Sequence, residues 1–112
     1  MYSHIGRFTP VEGRENDLLQ ALVAAARQMI GTSGLIEYQI FSSDDGAVWA
    51  VEIWVTRADH DASLDDQTTK DLISSVRPLI ASAQANQLTF QGGLCPDGQW
   101  VDANLNPETA GH

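Results

Sequence analysis

Two histidines and one acidic–aromatic stretch hold most of the reactive side chains in this sequence. His60 stands between Asp59 and Asp61, and Glu52 and Trp54 lie just upstream in VEIWVTRADHDASL. An imidazole exchanges protons near neutral pH, which makes His60 the leading general base. An indole such as Trp54 either stacks on a flat ring or fills core. Glu52 can shuttle a proton or hold a substrate hydroxyl, and Gln39 and Glu37 fall on its face in the strand pairing set out below. The open alternative for either glutamate is a structural ion pair with Arg7, Arg57 or Arg77. His4, in phase with Tyr2, Gly6 and Phe8, points to the same side of the first strand. His4, His60 and His112 show no ligand spacing, so no metal site is expected. The single cysteine, Cys95 in GGLCPDG, allows no intrachain disulfide and has no nearby cue for activation. Gly92-Gly93 lacks the strand–loop–helix setting of a dinucleotide site.

The elements that must position these groups follow from periodicity. Tyr2 to Thr9 reads as a strand ended by Pro10 and Gly13. A helix opens near Asn16, with Leu18, Leu19, Leu22, Val23, Ala26, Met29 and Ile30 as its apolar stripe, and GTSG at 31–34 stops it. Leu35–Ser42 and Ala47–Val55 form a hairpin around the turn SDDG. If Ser42 faces Ala47, then Leu35, Glu37, Gln39 and Phe41 share a face with Ala50, Glu52 and Trp54. Tyr38 then falls on the other side, as interface packing. Thr56 and Asp59 have capping-box spacing for a short helix, and Ser63 and Asp66 repeat it. A longer helix follows, with Leu72, Ile73, Val76, Leu79, Ile80 and Ala83 as its stripe, bent or broken at Pro78. Leu88–Leu94 is the last strand. The order β-α-β-β-α-β predicts an α+β, ferredoxin-like fold: an antiparallel sheet with helices on one face. Residues 1–94 form the domain and 95–112 a C-terminal arm or loop anchored by Trp100. The uncovered sheet face is apolar enough to predict a homodimer packed sheet to sheet.

The chain has 112 residues and a formal charge of −9, from 6 Lys+Arg against 15 Asp+Glu. Such a balance repels phosphate and anionic lipid, so neither nucleic acid nor a membrane surface is an expected partner. The first residues, MYSHIGRFTP, lack a secretory apolar run, and the expected location is cytoplasmic.

A family resemblance rests on Gly34-Leu35 and Tyr38 before the second strand's hydrophobics, on Glu52-Ile53-Trp54, and on His60-Asp61-Ala62-Ser63-Leu64. Arg77-Pro78-Leu79-Ile80 and Gly92-Gly93 complete it. Over roughly residues 2 to 94 the sequence resembles the antibiotic biosynthesis monooxygenase family, small dimeric α+β barrels that include quinol monooxygenases. The resemblance implies a homodimer with one pocket per subunit between sheet and helices, and oxygenation without metal, flavin or haem. It puts Trp54 and His60 at pocket positions, which makes them the candidate catalytic residues; Glu52, Gln39 and His4, from the strand phase and register, and Ala50 are the candidate substrate-binding residues. Polyketide-oxidising relatives carry an Asn four residues before the Trp and a Tyr in place of the His. Ala50 departs from that pattern, and the His at position 60 resembles the quinol monooxygenase and sugar-phosphate isomerase branches. The expected reaction is oxidation of a small quinol or activated phenol by O2 with no cofactor. An isomerase using the same proton chemistry and a non-catalytic dimer that binds a small molecule stay open as alternatives.

Overall fold

The computed structural model describes residues 1–94 and 97–102; Cys95 and His112 lie outside the described residues. Tyr2–Pro10 (β1) is followed by Glu15–Gln28 (α1), Leu35–Ser42 (β2), Val48–Trp54 (β3), Arg57–Leu64 (α2) and Gln67–Val76 (α3). A 3-10 turn over Arg77–Leu79 leads into Ile80–Thr89 (β4), then Gly92–Leu94 (β5) and Trp100–Asp102 (β6). The main sheet is antiparallel in the order β2-β3-β1-β4, the ferredoxin-like arrangement, with its two central strands being β3 and β1.

The helices pack on one face of this sheet. Leu18 and Leu22 from α1 and Val76 from α3 meet Val48 of β3, while Met29 at the end of α1 meets Tyr2 and Trp54. These are the stripe positions the periodicity singles out. Ile30 is not among them: the helix ends at Gln28, and Ile30 points to solvent at 83% exposure.

Two expectations are corrected. The second long helix does not run to Ala83. Pro78 cannot donate into a continuing α-helix and clashes with the preceding turn, so the chain tightens into the 3-10 turn and then extends. Ile80–Thr89, not Leu88–Leu94, becomes the edge strand, paired with β1 from Pro10↔Ile80 to Tyr2↔Thr89. Leu94 pairs instead with Trp100 in the small β5–β6 ribbon. Of that ribbon, only β6 lies within the segment expected as a loop or arm. Trp100 does not anchor it to the core: the indole is 63% exposed, lies against Gly92, and donates to Asp102 Oδ1 at 2.7 Å.

The second correction is in the β2–β3 hairpin. Ser43 N donates to Ala47 O at 3.0 Å, and Gly46 adopts φ +87°, so the loop is the three residues Asp44-Asp45-Gly46. Asp45 stitches this loop together. Its Oδ1 accepts from Ser43 Oγ (2.5 Å) and Ala47 N (3.1 Å), and its Oδ2 accepts from Arg7 (2.6 Å). Those bonds, the Ser43 one foremost, hold the carboxyl at about 2. One loop residue fewer moves the register so that Ser42 faces Val48. Because side chains alternate with a period of two, the change turns most of β2 over. Tyr38 and Ile40 join Glu52 and Ala50 on the helix-covered face, while Glu37, Gln39 and Phe41 join Ile53, Val51 and Trp49 on the other. Leu35 escapes the inversion: an irregularity at Ile36 returns it to the Trp54 side.

Candidate functional site

The wall of the site is a row of side chains across three strands. Tyr38 on β2 is the register partner of Glu52 on β3, and Glu52 is the partner of His4 on β1. All three point toward the helices. His60 comes down from α2 to meet them, and local chemistry fixes where that helix begins. Thr56 is its N-cap, with Oγ1 accepting from Asp59 N at 3.1 Å and donating to Asp59 Oδ2 at 2.9 Å. The Asp59 side chain occupies the space where a Cβ on Gly34 would stand, and Gly34 holds φ +79°. Glycine there lets the first turn of α2 close against the strand entry, setting His60 over the sheet.

His60 is buried and sits among three rings. Its centroid lies 5.0 Å from Tyr2, 5.3 Å from His4 in a stacked pose, and 5.6 Å from Trp54 edge-on. Asp61 Oδ1 stands 3.0 Å from His60 Nδ1. A carboxylate only accepts, so this contact assigns the proton to Nδ1 and leaves the lone pair on Nε2. Arg57 approaches Asp61 at 3.7 Å and lies over the Tyr2 ring at 5.9 Å.

Glu52 ties the floor together. Its Oε1 accepts from the Trp54 indole N–H at 3.1 Å, and its Oε2 lies 3.3 Å from His4 Nδ1, near but out of line for a hydrogen bond. The Tyr2 hydroxyl is likewise buried without a hydrogen-bond partner. Burial, and then the charge on Glu52, push the Tyr38 phenol well above its ordinary range. Burial also raises Tyr2, with Arg57 opposing and Asp61 and Glu52 adding.

His4, Tyr38, Glu52 and His60 border a cavity of about 450 Å³, enough for a small organic guest. Most of its lining is apolar, from Phe8, Leu22, Met29, Leu64, Leu72, Ile73, Val76 and Ile80. Its polar part is His4, Tyr38, Glu52, His60, Ser63 and Thr69, with the exposed Arg77 at the margin. An apolar hollow with a base and a few hydroxyl-binding groups is suited to ionising a flat phenolic molecule away from bulk water. A second hollow of about 350 Å³ adjoins it; its carboxylates, Asp59 and Asp66, already interact with the first turns of α2 and α3.

Of the sequence candidates, His4, Glu52 and His60 line the main cavity together. Trp54 is fully buried behind them and reaches the cavity only through Glu52 and His60. Ala50 is buried on the correct face, beside Gly6 and Ile40, but does not line the cavity. Gln39 is exposed on the opposite face, against Val51, so it cannot bind a guest of this cavity. Neither glutamate forms the arginine pair left open: among the described residues Arg7 pairs with Asp45 and Arg57 with Asp61. Tyr38 is the residue that sequence reasoning missed. The signal was the Asp-Asp-Gly triplet, whose glycine suits the left-handed last position of a three-residue hairpin loop. Among the described residues no group of three His, Cys, Asp or Glu could hold a metal ion, and no helix is long and apolar enough to cross a membrane.

With this geometry in place, comparison defines the class. The antibiotic biosynthesis monooxygenase family profile matches residues 1–73, and the chain belongs to that family. Among solved structures it is similar to a Chloroflexus aurantiacus J-10-fl protein of the antibiotic biosynthesis monooxygenase class. The two share 28% identity and a TM-score of 0.72, over 82% of this chain and 94% of that one. A Nitrosomonas europaea protein of the same class gives 19% identity and a TM-score of 0.71, over 79% of this chain and 96% of that one. The latter likeness supports the fold alone. No curated protein matches the chain.

Proposed function

We propose that the protein is a cofactor-independent monooxygenase that oxidises a small quinol or activated phenol with O2. The observation that carries this reading is His60: an imidazole held by Asp61 through Nδ1, with Nε2 left to act as base beside an apolar cavity. Triplet oxygen reacts slowly with closed-shell molecules but accepts electrons from a phenolate. A base that forms the phenolate in a water-poor hollow supplies the step the reaction lacks. Overall a quinol and O2 give a hydroxyquinone and water, so atoms and electrons balance without another reductant.

The test is oxygen uptake by chelator-treated protein with a panel of substituted hydroquinones. One O2 should be consumed per quinol, and label from ¹⁸O2 should appear in the product. Absence of uptake across the panel, or turnover under strict anaerobiosis, overturns the reading; the latter selects an isomerase.

The same reading includes a homodimer. Among the described residues no helix covers the face carrying Ile5, Trp49, Val51 and Ile53, and Phe41 and Leu88 there are 50% and 43% exposed. A second copy placed sheet to sheet removes this apolar area from water. Sedimentation at micromolar concentration should give the dimer mass, and Val51→Lys should shift it toward monomer. A monomeric parent protein overturns the assembly.

A further inference from the structure

We infer that His4 is a second proton-transfer residue, paired with His60 so that one imidazole works as base while the other works as acid. The inference rests on the oxygenation reading for its chemistry, but the pairing itself is a matter of geometry. Each imidazole has its own carboxylate, Glu52 at 3.3 Å from His4 Nδ1 and Asp61 at 3.0 Å from His60 Nδ1. The two rings stack at 5.3 Å with 25° between their planes, and both line the cavity. At that separation a charge on one ring is felt by the other. The other ionisable groups around the pair are Arg57 beside Asp61, Tyr2 on β1, Tyr38 on β2 and Arg77 at the cavity margin. Helices α1 and α3 present only uncharged side chains to this cavity.

The reaction needs two proton removals and two deliveries. In the first half, His60 takes the quinol O–H proton, the adjacent ring carbon gives an electron pair to O2 to form a C–O bond, and protonated His4 gives its proton to the outer oxygen. In the second half, neutral His4 takes the proton from that carbon. The freed pair forms C=O, the O–O bond breaks, and protonated His60 turns the departing hydroxide into water. Both imidazoles return to their starting states. A single histidine would have to exchange its proton with solvent between the two halves, whereas the pair need not.

His4→Phe keeps a ring in the stack and removes the proton, and Glu52→Gln keeps shape while removing the charge behind His4. NMR of the histidine ring signals over pH should show His4 and His60 titrating as a coupled pair in the parent protein. In His4→Phe the curve for His60 should become that of a lone group, and Glu52→Gln should alter the coupling without disturbing the fold. Oxygen uptake with a hydroquinone should fall about 100-fold in kcat for His4→Phe with little change in KM. A His60 curve unchanged by either substitution overturns the pairing, even if the parent turns over. A parent that consumes no oxygen removes the oxygenation reading instead, and the NMR result then decides the pairing on its own.

Discussion

Trp54→Ala is expected to lower the unfolding free energy by about 3–5 kcal/mol, the usual cost of emptying a large aromatic site in a packed core. Trp54 is 0% exposed and packs with Tyr2 and Met29, with Leu35, Tyr38 and Leu72 around them. Its replacement leaves a void, and it also strips Glu52 of the indole N–H that satisfies Oε1. In a domain of this size, a loss of about 4 kcal/mol corresponds to a fall in Tm of roughly 15–20 °C. Trp54→Phe separates the two effects. It restores most of the volume but not the donor, so its cost should fall toward the roughly 1–3 kcal/mol of an acceptor left unpaired. Denaturant titrations at one fixed protein concentration measure both, so that any self-association contributes equally to each. A loss below about 1 kcal/mol for Trp54→Ala would contradict the enclosure of the indole.

The contrast between Trp54 and Tyr38 marks how far the sequence could be read. Strand and helix order was legible because the α1 stripe and the branched, aromatic strands follow different periods. It placed His4, Glu52, Trp54 and His60 together because three of them lie on strands in phase and the fourth follows a recognisable N-cap. Tyr38 was lost because a hairpin's register depends on the exact loop length. Counting four turn residues in place of three reverses every side chain beyond the loop, and only the irregularity at Ile36 kept Leu35 in place. The segment at 80–89, IASAQANQLT, posed a different problem. Ile80 and Thr89 are its only β-branched residues, so local preference did not announce a strand. It becomes one because β1 offers a free edge and Pro78 forbids the helix to continue. Pairing of that kind lies outside any local window.

On the proposed reading, His60→Ala has the second large effect, and the quantity that reports it is rate. The substitution should reduce kcat/KM for a hydroquinone by about 10³-fold, or about 4 kcal/mol in the activation barrier. The cavity's aliphatic wall remains, so an unreactive phenol of the same shape should bind within about threefold of its parent affinity. Asp61→Asn tests the assignment of Nε2 as the base. A carboxamide oxygen can still accept from Nδ1 but carries no charge to stabilise the imidazolium, and about a tenfold loss in kcat is expected. Added imidazole should restore part of the His60→Ala rate, because the vacated volume opens beside the cavity and the missing function is a diffusible proton acceptor. Oxygen-electrode rates across pH, with and without imidazole, measure the three rate effects, and calorimetric titration measures the binding of the unreactive phenol. Undiminished turnover in His60→Ala would move the base to another cavity residue and leave His60 a packing role among Tyr2, His4 and Trp54.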